Sequence, residues 1–334
     1  MRKQLIIVNK VFALALFILA FVYARADVEE IIEKRKVETR SYPLTSSDKI
    51  SLANEYGEMK LITWDKQEIS IIITMISKAR TENRAEELMN GIVIESSKNS
   101  IGVTCFTQFK NNSDPNHGVV QDEEYTINYE VYLPGSNPLW VQNKFGLLVV
   151  PDYNGPAEIK SDHGILKTGK IANAKEVSVA FGRGEIFHVH SGHITIRYSK
   201  AEINKLSGYI TATFEFADSI RISMDNDIKS MSIRNFYSTL YLDLAGSFSA
   251  TFRINSQLDS VIAVGGLKLK EETVQGVTNK KYDITYRRYT VTSGAGERNI
   301  DIDSKFGKVI VGHYYSYRKS TTTTTTTEKS KFNQ

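Results

Sequence analysis

The chain is predicted to be all-β: a β-solenoid, a flattened β-roll of about 18 residues per turn, with an N-terminal β-rich cap containing one helix. Three observations predict this. Strand-type runs of β-branched and aromatic residues dominate, among them Lys60–Trp64, Ile69–Ile76, Tyr125–Leu133 and Ile194–Ile196. Only 6 prolines in 334 residues interrupt them. Most informative is an aromatic-small pair followed by alternating apolar residues, which recurs at a near-constant interval.

The repeat starts at Phe145-Gly146 and continues through His163-Gly164, Phe181-Gly182, Tyr198-Ser199 and Phe216-Ala217, at steps of 18, 18, 17 and 18 residues. Tyr237-Ser238 follows after 21, and isolated copies stand at Tyr56-Gly57 and Phe306-Gly307. Gly155, Gly192 and Gly208 add a weaker mark about half a period away. A unit of this length divides into two strands of five or six residues with two tight bends, where glycine accepts a positive φ. One unit cannot bury its apolar face alone, whereas stacked units can. From Phe145 to Gly312 there is room for about nine turns, a rod on the order of 45 Å long at the usual strand spacing, with the aromatic at each bend above its predecessor in a stack along one edge. An antiparallel sandwich with evenly spaced hairpins is the rival. A left-handed hexapeptide helix needs an aliphatic every six residues, and two marks per unit do not supply three.

Residues 1–26 have the anatomy of a secretory signal peptide. Arg2, Lys3 and Lys10 make a positive start, Val11–Ala24 is an apolar run, and Ala24-Arg25-Ala26 is an A-x-A site before Asp27. The run is too short to span a bilayer, so no transmembrane segment is expected in the mature chain. With no cysteine after it, lipoprotein anchoring is not expected. The leader's Arg2, Lys3, Lys10 and Arg25 carry the whole +4 formal charge of the chain, leaving 38 basic and 38 acidic residues from Asp27 onward. That balance does not provide the basic footprint nucleic acid requires. Cys105, the sole cysteine, lies in the alternating run Ile101–Phe106 and reads as a small buried hydrophobe; a disulfide framework is excluded.

Residues 27–140 are assigned to the cap, 141–316 to the repeats and 317–334, with its seven consecutive threonines, to a disordered tail. The cap's helix is predicted at Thr81–Asn90, with Thr81 as N-cap, an apolar stripe of Ala85, Leu88 and Met89, and Gly91 as its stop. Lys110–Asp122 reads as a polar loop.

Candidate chemistry is sparse. His188 and His190 share a strand face and His193 follows Gly192; imidazoles so placed are candidate zinc or copper ligands, but Glu185 is the only further ligand type nearby. Asp225-Asn226-Asp227 opens like a calcium loop but has Ser230 where the loop needs glycine and Asn235 near its far end. Asp301 and Asp303 alternate outward on a strand, where acids serve solubility and edge protection. Gly294-Ala295-Gly296 lacks the strand and helix of a dinucleotide site. No catalytic residue, cofactor or metal is assigned.

The run Ala53–Ile69 (ANEYGEMKLITWDKQEI), the helix Arg84–Met89 and the segment Val141–Gly146 resemble a family of exported Gram-negative proteins labelled as candidate adhesins or domains of unknown function. Ser199, Ala217 and Ser238 depart from its aromatic-glycine pattern. The resemblance implies a β-strand repeat fold, an envelope location and no catalytic residues. Together these readings describe an exported, non-enzymatic, adhesin-like protein of the periplasm, outer surface or extracellular space. Its expected partner is a protein or glycan at the cell envelope, or another copy of itself. The alternatives are a carbohydrate-active β-helix enzyme and a periplasmic component of envelope-stress signalling.

Overall fold

The computed structural model describes residues 31–110, 122–257, 260–272 and 286–313. The leader with its cleavage residues Ala24, Ala26 and Asp27, most of the polar loop and the Thr-rich tail lie outside them. The described residues are all-β apart from one helix, and their 22 strands belong to one large open sheet.

Repetition in the sequence becomes parallel pairing in space. β11 (Ile165–Ala180), β12 (Arg183–Arg197) and β13 (Lys200–Glu215) are long strands that follow the aromatic pairs. Their partners sit one repeat away: Ile165 faces Arg183, and Arg183 faces Lys200. Each long strand shifts register near its middle, so its two halves run in two different parallel ladders. In β12 the shift falls between His190 and Gly192, where Gly192 has φ +138° and a Cβ would stand 1.9 Å from the Ala174 carbonyl oxygen.

The first halves continue β9 (Leu147–Val150) and lead to β14 (Ser219–Met224), β16 (Thr239–Leu244) and β22 (Lys308–Gly312). The second halves continue β8 (Leu139–Lys144) and β10 (Tyr153–Asp162) and lead to β15 (Ile228–Phe236) and β21 (Arg298–Lys305). Inward residues of both ladders, such as Leu166, Ile186 and Ile203 from one and Val179, Ile196 and Phe214 from the other, join one buried core. Burial of alternate residues along most strands supplies the main driving force.

Layer order departs from chain order at both ends. At the start, β2 (Lys49–Glu55) and β3 (Met59–Trp64) pair with β8 and β9 on one side. Their other side takes β6 (Gly102–Phe109) and β7 (Glu124–Pro134), which come later in the chain. Residue 140, placed above at the edge of the cap, therefore lies inside β8, which is paired on both sides. Antiparallel strands extend this end: β1 (Ile32–Pro43) pairs with β4 (Glu68–Ala79), β4 with β7, and β5 (Ile92–Lys98) with β6. At the far end β21 and β22 sit between the Tyr237 layer and the earlier β17 (Ala250–Gln257) and β18 (Ser260–Ala263). Burial accounts for that place. Val309 and Val311 of β22 are fully covered, whereas Val261 and Ala263 of β18 are only partly buried. A chain-order count of turns from Phe145 to Gly312 does not describe this arrangement.

The helix α1 (Glu82–Gly91) starts where its cap predicts, with the Thr81 hydroxyl accepting from the Arg84 N–H at 3.3 Å. Ala85 and Leu88 are buried and Met89 is half-buried, and the Ser77 hydroxyl of β4 donates to the Ala85 carbonyl at 2.7 Å.

The bends explain the aromatic-small pairs, with the roles divided differently from the sequence expectation. The aromatic residue, not the glycine, adopts the left-handed φ: 54° at Phe145, 52° at His163 and 51° at Phe181. Glycine follows because successive backbones nearly touch. A Cβ at Gly164 would stand 2.0 Å from the Gly146 carbonyl oxygen, and one at Gly182 2.0 Å from that of Gly164. At Ser199 and Ser238, two of the three bends without glycine, a hydroxyl reaches across. Ser199 Oγ accepts from the Gly182 N–H at 2.9 Å and donates to the Arg197 carbonyl, and Ser238 Oγ accepts from the Ala217 N–H at 2.8 Å.

Gly164→Ala is expected to destabilise the protein by about 2 to 3 kcal/mol through this backbone clash. Gly266→Ala, which meets nothing within 4 Å but holds φ +82°, is expected to cost only about 1 kcal/mol. Urea denaturation of both variants checks the order; equal losses would mean that close approach does not select glycine at the bend.

Candidate functional site

Eight bend residues form one continuous stack of rings along an edge of the sheet. In order they are Tyr56, Phe145, His163, Phe181, Tyr198, Phe216, Tyr237 and Phe306, with centroids 4.7 to 5.2 Å apart. The interplanar angle is 2° between Phe181 and Tyr198 and 1° between Tyr198 and Phe216, and it reaches 30° only between Phe145 and His163. The spacing is that of neighbouring strands. Because each ring leaves an equivalent bend in the same left-handed conformation, its position repeats with the backbone beneath it. The isolated copies are the two end rings.

Each bend N–H donates to the next layer: Phe145 to the Asp162 carbonyl at 2.9 Å, His163 to Ala180 at 2.9 Å and Phe181 to Arg197 at 3.1 Å. A left-handed non-glycine residue costs roughly 1 kcal/mol or more, and a stacked aromatic pair returns about 0.5–1.5 kcal/mol beyond area burial. A ring stacked on both sides therefore offsets its own strain. The stack is also open to solvent: Phe181, Tyr198 and Tyr237 are about half exposed.

Buried asparagines two residues ahead of the aromatic hold the bends from inside. Asn54 Nδ2 donates to the Ile127 carbonyl at 2.7 Å, Asn143 Nδ2 to Gly57 at 2.9 Å and Asn235 Nδ2 to Ser238 at 3.0 Å. Sequence reading assigned them no role; the recurring spacing in Asn54-Glu55-Tyr56, Asn143-Lys144-Phe145 and Asn235-Phe236-Tyr237 was the available signal.

The histidines separate. His188 Nε2 and His190 Nδ1 each lie 2.8 Å from Ser207 Oγ, whereas His193 Nδ1 is 2.8 Å from Thr211 Oγ1. Desolvation, followed by the charges of Lys205 and Lys170, holds His188 below the usual imidazole range. Glu185 is engaged elsewhere, 3.3 Å from Lys167 and 3.2 Å from Arg183. Asp225 and Asp227 are drawn to Lys205 at 3.4 and 2.5 Å. Asp301 and Asp303 are exposed on either side of buried Ile302, and Asp301 binds Arg253 through two contacts of 2.7 and 3.2 Å. Among the described residues no group of three or more His, Cys, Asp or Glu is placed to hold a metal ion. Cys105 is buried, and desolvation pushes its thiol up to about 11. Among the described residues no helix is long and apolar enough to cross a membrane.

No protein-family profile and no curated protein matches the chain. Solved structures do resemble it. A candidate cell adhesion protein of Clostridium sporogenes aligns over 84% of this chain and 100% of its own, with 11% identity and a TM-score of 0.25. A candidate adhesin of Bacteroides fragilis covers 84% and 97%, with 11% identity and a TM-score of 0.41. A candidate lipid-binding protein of Parabacteroides distasonis covers 82% and 96%, with 11% identity and a TM-score of 0.29. Likenesses at these values assign this chain neither a family nor a ligand.

Two outcomes are expected of this site. Phe181→Ala removes two stacking contacts and retains the left-handed backbone, so it is expected to cost about 2 kcal/mol, and Phe181→Gly about 1 kcal/mol less. Phe187→Ala, at an exposed position with no ring partner among the described residues, is expected to change stability by less than about 0.5 kcal/mol. Thermal unfolding measures all three, and a neutral Phe181→Ala would refute the stacking account. In a zinc titration followed by calorimetry, no tight site is expected; stoichiometric sub-micromolar binding lost in His188→Ala would contradict it.

Proposed function

We propose that the protein is an exported, non-enzymatic β-solenoid of adhesin type that presents a long regular surface to a protein or glycan of the cell envelope, or to another copy of itself. The observation that carries this reading is the pair of in-register parallel ladders ending in an exposed stack of eight rings. A surface so regular offers the same contact again at every strand step, which suits an extended partner better than a single small substrate. In this reading residues 1–26 are the cleaved leader, residues 27–140 add the capping strands and the first turns, residues 141–316 form the roll, and residues 317–334 are the Thr-rich tail.

The competing enzymatic reading requires acids and a basic residue to converge on one groove and to turn a substrate over. Asp301, Asp227 and Glu185 are instead each drawn to a lysine or arginine on the outer surface. The test uses protein purified after export. Its N-terminus is expected to be Asp27, and on a panel of envelope polysaccharides and on itself it is expected to show retention without release of reducing ends. Depolymerisation abolished by a single carboxylate substitution such as Asp301→Asn would overturn the reading.

A further inference from the structure

The six interior rings of the aromatic stack have both faces against their neighbours, so no flat ligand can lie on them. One adjacent ring is different. The position just before each bend aromatic carries Glu55, Lys144, Asp162, Ala180, Arg197, Glu215 and Lys305 in the other layers, but Phe236 in the Tyr237 layer. Phe236 stands nearly perpendicular to three rings of the stack: 88° to Phe216, 83° to Tyr237 and 82° to Phe306, with centroids at 5.5, 4.6 and 6.1 Å. Phe216 and Tyr237 already have their faces occupied by stacking, so Phe236 must lay one of its own faces across their edges. Phe236 is half-buried, and beside its contacts with the stack it lines the outward face of the second ladder.

That face meets a built recess. β13, β15 and β21 run side by side, with Thr213, Arg234 and Asp303 in one register row and Glu215, Phe236 and Lys305 in the next. All six line a pocket of about 200 Å³. Arg234 and Glu215 make no ion pair with any described residue, and Lys305 is held to Asp303 only at 3.9 Å. The recess thus combines one aromatic face with donors from Arg234 and Lys305 and acceptors from Asp303 and Glu215, at a net formal charge of zero.

We propose that this recess binds one pyranose ring of a neutral glycan. The apolar C–H face of the sugar lies on Phe236, and its equatorial hydroxyls, each both donor and acceptor, take the four charged side chains as partners. An aromatic face flanked by both hydrogen-bonding senses suits a hydroxylated ring. A bare anion would need the cations without the ring, and an apolar peptide would leave the four charges desolvated. The proposal deepens the surface-presenting reading by naming a glycan as partner and placing one subsite.

The test uses the mature full-length protein and soluble hexaoses of glucose, mannose, galactose and N-acetylglucosamine, together with a hexuronate, followed by saturation-transfer NMR and calorimetry. Binding of at least one neutral hexaose is expected. It should weaken roughly tenfold in Phe236→Leu, the loss of about one good contact, and severalfold in Arg234→Ala and Asp303→Ala. The last two residues lie on the row remote from the stack, so these variants test the site even if Phe236→Leu unfolds. Binding of the hexuronate alone, lost in Arg234→Ala and unchanged in Phe236→Leu, would show a simple anion site and overturn the proposal. Failure of all the hexaoses overturns it as well. Neutral-glycan binding unchanged in every variant overturns this subsite while leaving the surface-presenting reading intact.

Discussion

The structure depends on backbone contact at one bend, repeated layer after layer. The chain turns in nearly the same way at Tyr56, Phe145, His163, Phe181, Tyr198, Phe216, Tyr237 and Phe306, with φ between 48° and 61° at all eight. That conformation is unfavourable for a residue with a side chain. It persists because the ring it carries lies between two others at strand spacing at the six interior bends, and because the N–H of each bend finds a carbonyl in the next layer. Isolated, such a bend would relax; stacked, each one holds its neighbours in the strained form. The register of the two ladders, and with it the direction of every outward side chain, follows from this contact.

Apart from Ala217, which keeps a bare methyl, two solutions to the close approach coexist. Glycine removes the Cβ at Gly146, Gly164 and Gly182, where the would-be contact is 1.9 to 2.0 Å. Ser199 and Ser238 keep a Cβ and use the hydroxyl to accept the amide of the preceding layer. The ladders run through both kinds of bend without a break in pairing. A glycine-to-serine exchange is therefore a change of hydrogen-bond partner within one design.

Much of this was legible in the sequence. The near-constant steps from Phe145 to Phe216 mark the bends because side-chain period and layer period coincide there. Thr81 and the Ala85 and Leu88 stripe mark the helix because capping and amphipathicity are local. The order of the layers was not legible. Phe306 stacks on Tyr237 although the two are 69 positions apart, and Tyr56 stacks on Phe145 across an excursion that contains the helix. Nothing local records which apolar strand pair takes the covered place and which the edge; that is decided by burial of Val309 and Val311 against Val261 and Ala263. The division of labour within the aromatic-glycine pair was hidden as well, since composition marks a bend without saying which residue carries the left-handed φ. Of the candidate site, the rings and their stacking along one edge follow from the repeat, because equal steps bring equivalent bends one above another; the perpendicular setting of Phe236 does not.

The same constraint indicates where function is to be sought. Inward residues are held by the core and bend residues by stacking, so neither is free to change without loss of the fold. Outward residues of the ladders carry no such burden. Most of them here are small and polar or belong to short ion pairs such as Lys160 with Glu158 at 2.6 Å and Arg253 with Asp301 at 2.7 Å, which contribute little to stability at an exposed surface. A position that breaks this habit needs a reason. Phe236 places a large apolar ring where other layers carry mostly charge, beside Arg234 and Glu215, which have no ionic partner among the described residues. The stack takes up one side of that ring; the proposed sugar subsite gives a use to the charges beside it.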